Sequence, residues 1–322
     1  MTAVTTASPA VLPEIKPRVS VAAPVTGLAF HPNGKWVAAV DHKMVRIIDR
    51  GRSKNARRLG GAEGIVRAVS YSPDGKLLAA GGGFPAQFGE IIIWEAETGR
   101  TLHRLQGHKD YIYSVAFSPD NRLLASSSYD RLVKIWDVEK GVEVKTLKEH
   151  TDAVYPVAFS PDGKLLASGA ADRTVKIWDV GLGKRLYTLS DSTDVVYTLA
   201  FHPSGKQLTA AGADKNIRTW NITGQGGTLA GSIIAHTDEI VQIAYSPDGS
   251  RLASTSADRT VKLWDLAAGQ AVRTFEKQPD WGQSLAWSPE GRTLVVGGFD
   301  GAVRIYNAET GQVINTPVQA AR

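Results

Sequence analysis

The 322-residue chain contains no cysteine, which excludes disulfides, thiolate metal sites and a cysteine nucleophile. It also lacks any apolar run near the roughly 18 residues needed to span a membrane. No stretch shows sustained helical periodicity framed by caps. The start, Met1 to Pro17, has neither the basic opening nor the apolar stretch of a signal peptide. Residues 1–18, rich in Thr, Ala and Pro, read as a flexible tail, and a cytoplasmic location is expected. The charge balance is only mildly lopsided, at +5, which by itself is a weak pull on acidic partners.

What is present is apolar and repetitive. Hydrophobic residues make up 43% of the chain, enough to bury a sizeable core. The stretch Ser126 to Asp137 holds a polar turn, an alternating strand and a terminal Trp-Asp, and near-copies run from Ser168 to Asp179 and from Ser254 to Asp265. A second mark, aromatic–Ser/His–Pro–x–Gly, recurs with its proline at 32, 73, 119, 161, 203, 247 and 289. At one of these, Phe117 to Asn121, Asn replaces Gly; both tolerate a left-handed turn conformation. The spacings of 41, 46, 42, 42, 44 and 42 residues define seven units, in the range of four-strand propeller blades.

Each unit reads as short strands separated by turns, as in Ile112–Phe117, Ser-Pro-Asp-Asn, a second strand, a polar turn and Val133–Trp136. An all-β fold follows. The predicted architecture is a seven-bladed propeller over residues 19–317, with four-stranded antiparallel blades around a central channel and a short tail over 318–322. Gly311 to Asn315 matches the fourth-strand pattern of Gly99 to Leu105 and is expected to complete the last blade. Glu14 to Val19 competes for that edge, but Pro13 and Pro17 weaken it as a strand.

The Trp-Asp endings, the Gly107-His108 pair and an Asp six residues before Trp resemble the WD40-repeat β-propeller family, over roughly residues 20 to 317. The repeats also resemble bacterial propellers that form one module of larger proteins. The resemblance implies a non-catalytic scaffold, either a monomeric propeller or a subunit of a larger complex. It names no partner, because one fold hosts many functions. It further implies a buried network of His, Ser/Thr, Asp and Trp, which maps onto His108, Ser114, Asp130 and Trp136. Degraded copies fall at His150, Asp172 and Trp178, with Pro156 in place of the Ser, and at His236, Asp258 and Trp264, with Gln242. Ser, His and Asp together also suggest a hydrolase triad. A catalytic set, however, occurs once and stays whole, whereas a structural one loses members blade by blade. Lys134, in the same strand, reads as solvent-facing.

Neither a metal nor a cofactor is expected. The seven histidines form no cluster with carboxylates. The runs Gly81-Gly82-Gly83 and Gly224-Gln225-Gly226-Gly227 lack the Lys-Ser/Thr of a phosphate loop and read as loops.

By the same resemblance, three positions per unit face the channel entrance. They carry Arg67, Tyr111, Tyr113, Tyr129, Tyr155, Tyr197, Trp281 and Phe299, a composition suited to a protein-interaction hot spot. The second unit has a four-residue insertion and lacks the usual Asp. Its Phe84 and Phe88 either anchor a partner or tuck over the neighbouring blade. The basic segment with Arg50, Arg52, Lys54, Arg57 and Arg58 is expected on the opposite face, as a solvated loop or a contact for phosphates or an acidic partner. Arg131, Arg173, Lys215 and Arg259, each following a turn Asp, offer a basic arc on the aromatic face. The sequence therefore points to a module that binds a protein or peptide on its aromatic face, with nucleic acid or an acidic partner at the basic loops as the alternative. No membrane role is expected.

Overall fold

The computed structural model describes residues 22–51, 54–275 and 278–319. Twenty-eight strands form seven four-stranded antiparallel sheets, each built from consecutive strands in chain order. These blades cover residues 28–59, 65–108, 112–147, 154–189, 196–234, 240–274 and 282–319, and are numbered 1 to 7 below. Among the described residues there is no helix. The fold is a seven-bladed β-propeller.

The turn between the first two strands recurs because its chemistry is local. Position 34, 75, 121, 163, 205, 249 or 291 of each blade has φ between 64° and 73°, where only Gly, or Asn at 121, sits without strain. In blade 2 the Gly75 amide returns to the Ser72 carbonyl at 2.8 Å. The Ser72 hydroxyl accepts the Leu77 amide at 2.9 Å and donates to Asp74 at 2.7 Å.

The third strands are buried on both faces, as in Val133–Asp137 and Val175–Asp179. Alternate side chains of one strand therefore serve two different interfaces. Val133 and Ile135 pack with Leu166 and Trp178 of blade 4, whereas Trp136 packs with Ile91 and Ile93 of blade 2. Seven such apolar clusters among the described residues fill the seven junctions between blades. The core thus lies between sheets. This burial also corrects the sequence reading of Lys134: it is 7% exposed, with Nζ 2.6 Å from Glu143 Oε2 and 3.2 Å from Thr146 Oγ1.

Among the described residues the ring closes without a shared strand. The fourth strand of blade 7 is the C-terminal segment Val313–Gln319, paired with Ala302–Asn307. Residues 14–19, the competing segment, lie outside the described residues, as do the tail of 1–18 and residues 320–322. Blade 1 meets blade 7 through Val25, Val37 and Ile48 against Val295, Val303 and Ile305. The Val25 amide donates to Gly298 O at 3.1 Å, and the Ser284 hydroxyl donates to Val25 O at 2.6 Å. Arg50 pairs with Glu290 across the same seam.

Blade 2 corrects a second expectation. Gly81 to Gly83 are not a loop. They lie inside the strand Leu77–Phe84, which pairs with Phe88–Glu95 up to the Phe84–Phe88 pair. The four extra residues lengthen this hairpin beyond the five- and six-residue strands of most blades. Glycine is needed because the chains approach too closely for a side chain. A Cβ at Gly82 would lie 2.0 Å from Ile65 O, and one at Gly64 would lie 2.3 Å from Gly83 C.

If seam packing rather than the surface ion pair closes the ring, Ile48→Ala or Ile305→Ala should destabilise the protein by roughly 2–5 kcal/mol. Glu290→Gln should cost less than about 1 kcal/mol. Denaturant titration of the three variants measures both.

Candidate interaction face and its buried supports

Beneath one face of the ring, blades 3, 4 and 6 each hold a linear hydrogen-bonded chain. In blade 3, Trp136 Nε1 donates to Ser126 Oγ at 2.8 Å. His108 Nε2 lies 2.8 Å from the same hydroxyl, and His108 Nδ1 lies 2.8 Å from Asp130 Oδ2. The indole can only donate. A consistent direction of donation then runs from Trp136 to Ser126, to His108 Nε2, and from His108 Nδ1–H to the Asp130 carboxylate. Asp130 also accepts the Lys109 and Leu132 amides at 2.9 and 3.0 Å, tying the loop before the blade to its own turn.

The hydroxyl is therefore that of Ser126, not Ser114. Ser126 sits on the second strand beside Lys134 of the third, within reach of both rings, whereas Ser114 belongs to the first strand and lines the channel. The same correction makes the two copies described as degraded whole. Ser168 accepts from Trp178 Nε1 and lies 2.8 Å from His150 Nε2, while His150 Nδ1 lies 2.8 Å from Asp172. Ser254, His236, Asp258 and Trp264 repeat the pattern. Pro156 and Gln242 are first-strand residues and replace nothing in it.

Burial alone would raise the three carboxyl pKa values, but hydrogen bonds from the histidines and turn groups hold them below the usual carboxylate range, with Asp258 lowered to about 2. Burial pushes His236 down against the pull of Asp258, favouring the neutral ring that this direction of donation requires. Ser126, His108 and Asp130 have the spacing of a hydrolase triad, yet Ser126 is 0% exposed and its oxygen is occupied by an indole N–H.

Where the histidine is missing, a different residue holds the turn Asp, and the sequence reading overlooked it. Two residues before the third-strand aromatic, blades 3, 4 and 6 carry Lys134, Lys176 and Lys262, whereas blades 5 and 7 carry Arg218 and Arg304. Arg218 pairs with Asp214, and Arg304 NH1 lies 3.1 Å from Asp300. In blade 1 Arg46 Nε lies 3.3 Å from Asp41. The exchange of Lys for Arg in blades lacking the His was the signal available in the sequence.

Above these supports lies the channel entrance. In each of blades 3 to 7 the amide of the residue before the turn Asp, or of its equivalent, donates to the residue before the first strand. Tyr129 reaches Tyr111 O at 3.1 Å and Phe299 reaches Trp281 O at 2.8 Å. That backbone bond brings two sequence-distant rim positions together. Tyr111 stacks on Tyr129, with ring centroids 6.1 Å apart. Tyr113 and Tyr129 meet Tyr155 edge-on at 4.7 and 5.5 Å, and Tyr155 meets Tyr197 at 5.3 Å. Five tyrosines from blades 3 to 5 thus form one cluster. The Arg67 guanidinium lies over Tyr113, 4.0 Å from the ring centroid. Burial acts to lower the Arg67 pKa, but the surrounding phenols outweigh it and leave it raised. Burial pushes Tyr111 and Tyr197 up to about 12, so both stay neutral phenols. Tyr113, Tyr197 and Arg67 also line a cavity of about 200 Å³ inside the channel.

Trp281 and Phe299 stand together across the mouth, 5.9 Å apart, and are 45% and 41% exposed. Phe84 and Phe88 form a second pair at 5.6 Å, half-buried at the hairpin end, with Lys43 of blade 1 over Phe84. The hairpin tip is pinned to blade 3 by the Ala86 amide, which donates to Asp110 at 2.7 Å. Glu90, buried, accepts the Gly64 amide at 2.8 Å.

The charged residues do not form a basic arc alone. Arg131, Arg173, Lys215 and Arg259 are exposed, but Asp110, Asp152, Asp194, Asp238 and Asp280 border the same mouth. Of the basic segment, Arg50 pairs with Glu290 and Arg57 donates to the Glu97 and Ala96 carbonyls. Arg58 is exposed, while Arg52 and the side chain of Lys54 lie outside the described residues. Among the described residues no group of three or more His, Cys, Asp or Glu is placed to hold a metal, and no helix is long and apolar enough to cross a membrane.

A family model described as WD domain, G-beta repeat matches residues 18–49, 53–83, 99–137, 141–179, 183–221 and 227–265. A second, described as the anaphase-promoting complex subunit 4 WD40 domain, matches residues 282–321. The chain belongs to the WD40-repeat family, whose propellers generally serve as protein-interaction scaffolds. No curated protein matches it.

Ser126→Ala removes the partner of a buried indole N–H and a buried imidazole and should cost about 1–3 kcal/mol. Ser114→Ala should stay within about 0.5 kcal/mol of wild type. Paired unfolding curves distinguish the two serines.

Proposed function

We propose that the protein is a non-enzymatic interaction module that holds a protein or peptide on the aromatic face around its channel mouth. The observation that carries this reading is the concentration of rings there: five tyrosines in one cluster, with Trp281 and Phe299 opposite. Tyr and Trp bring large contact area with little side-chain entropy to lose, and Arg67 adds a cation already placed over a ring. Partly exposed rings on a rigid scaffold are poorly explained by stability. The buried networks would hold the loops that carry them, and the likeness of blade 7 to a domain from a multi-subunit assembly agrees with a role inside a complex. The alternating Asp and Arg positions around the mouth favour a peptide of mixed charge over a uniformly anionic nucleic acid.

Tyr129, Trp281 and Phe299 are the most exposed of these rings, so replacing all three by Ala should leave the melting temperature nearly unchanged. Capture of the partner, identified by affinity purification from the native host and mass spectrometry, should drop at least about tenfold. Undiminished capture by the triple variant contradicts the reading. A steep loss of binding with added salt would instead favour nucleic acid.

A further inference from the structure

The position that Tyr113 holds in blade 3 recurs in every unit of the ring. Thr26, Arg67, Tyr113, Tyr197, Val241 and Gln283 at this position all line the cavity of about 200 Å³ in the channel. Arg67 is the one charged residue of the whole lining, which contains no Asp or Glu. That is unusual for this fold. The three arginines buried among the described residues each face a carboxylate: Arg46 lies 3.3 Å from Asp41, Arg218 pairs with Asp214, and Arg304 pairs with Asp300. Half-buried Arg67 has the ring face of Tyr113 instead, with Tyr111 and Tyr129 nearby. A ring face attracts a cation but does not balance its charge. The guanidinium stays charged all the same.

The rest of the lining supplies donors. Gln242 and Thr198 are already used, accepting the Leu285 and Ile243 amides at 3.0 Å each. The Ser114 and Tyr197 hydroxyls and the Gln283 amide have no hydrogen-bond partner among the described residues. An unbalanced cation beside three uncommitted donors is a set that an anion completes. The charge count selects the anion. One guanidinium balances one negative charge, and Asp110, Asp152, Asp194, Asp238 and Asp280 border the mouth above it. The second charge of a phosphate would go unmatched and be repelled. A carboxylate carries one charge, and its two oxygens match the fork of a guanidinium.

We propose that the channel cavity takes up one carboxylate of the bound peptide, an acidic side chain or the chain terminus, with Arg67 as its counter-ion. This inference rests on the reading of the aromatic face as a peptide site and says what that site selects. The rings hold the residues on either side while the acid dips between them. Selectivity then comes from Arg67. A Gln in place of a Glu fills the same space but leaves the guanidinium unbalanced, and a half-buried cation without its partner is costly.

NMR titration of the full chain tests this with four small probes: glutamate, glutamine and phosphoserine, each capped at both ends, and N-acetylalanine. Capped glutamate should shift the Tyr113, Ser114 and Tyr197 amide resonances with a Kd on the order of 1 mM, and capped glutamine should bind at least about tenfold more weakly. Arg67→Gln should abolish the response to glutamate. N-acetylalanine carries only a chain-terminal carboxylate, so a stronger response to it than to glutamate assigns the cavity to a C-terminus, and a weaker one to an acidic side chain. No response to either carboxylate, an equal response to glutamate and glutamine, tighter binding of phosphoserine, or an Arg67→Gln variant that responds like wild type overturns the proposal. Should Arg67→Gln fail to melt cooperatively, the contrast between glutamate and glutamine in the wild type still decides. Partner capture is a separate readout. Capture lost in the triple rim variant without any carboxylate response overturns this inference alone, whereas a carboxylate response with undiminished capture overturns the reading of the rim alone.

Discussion

A four-stranded sheet that is apolar on both faces has no stable existence alone. Each blade needs a neighbour on either side, and the ring is the arrangement that supplies two neighbours to all seven. The other features of the fold follow from that requirement. Third strands lose polar–apolar alternation because neither face meets water. One strand divides its side chains between two junctions, as Ile135 and Trp136 do. The polar side chains buried under the turns are paired locally: indole to serine to histidine to aspartate in blades 3, 4 and 6, and arginine to aspartate in blades 5 and 7.

The same requirement explains how the seam closes. Among the described residues every blade is contiguous in sequence, and no described strand bridges the two ends of the ring. Packing of Val25, Val37 and Ile48 on Val295, Val303 and Ile305 does the work, with two backbone-directed hydrogen bonds beside it. The family's description and the fold agree on a scaffold. What distinguishes this propeller is confined to positions the ring does not fix, namely the tyrosine cluster at blades 3 to 5, the glycine-stemmed hairpin of blade 2 and the lone charge of Arg67 in the channel lining.

Blade number and strand order were legible because they rest on local chemistry repeated seven times. The turn that needs a left-handed Gly or Asn, and the third-strand Trp, report themselves in any window of the sequence. What was not legible depended on which strand lies beside which. Ser114 and Ser126 are equally plausible from spacing alone, and only the register of second against third strand puts Ser126 under the indole of Trp136. Gly81 to Gly83 look like a loop because glycine is common in loops. The reason for them is the carbonyl of Ile65 and the backbone of Phe88 on adjoining strands. Lys134 looks solvent-facing by alternation, yet it is buried because a neighbouring blade covers that face. The rim aromatics were identified position by position, but their grouping into one cluster and two pairs depends on how far each ring leans across the channel mouth.

The central claim is that the blades stand only together, as mutual supports for a face that is free to vary. Native-state hydrogen exchange tests it most directly. The buried amides of all seven third strands, from Met44–Asp49 to Ala302–Asn307, should exchange with one common opening free energy equal to that of global unfolding. A graded series, in which one blade opens while its neighbours stay protected, would contradict the account.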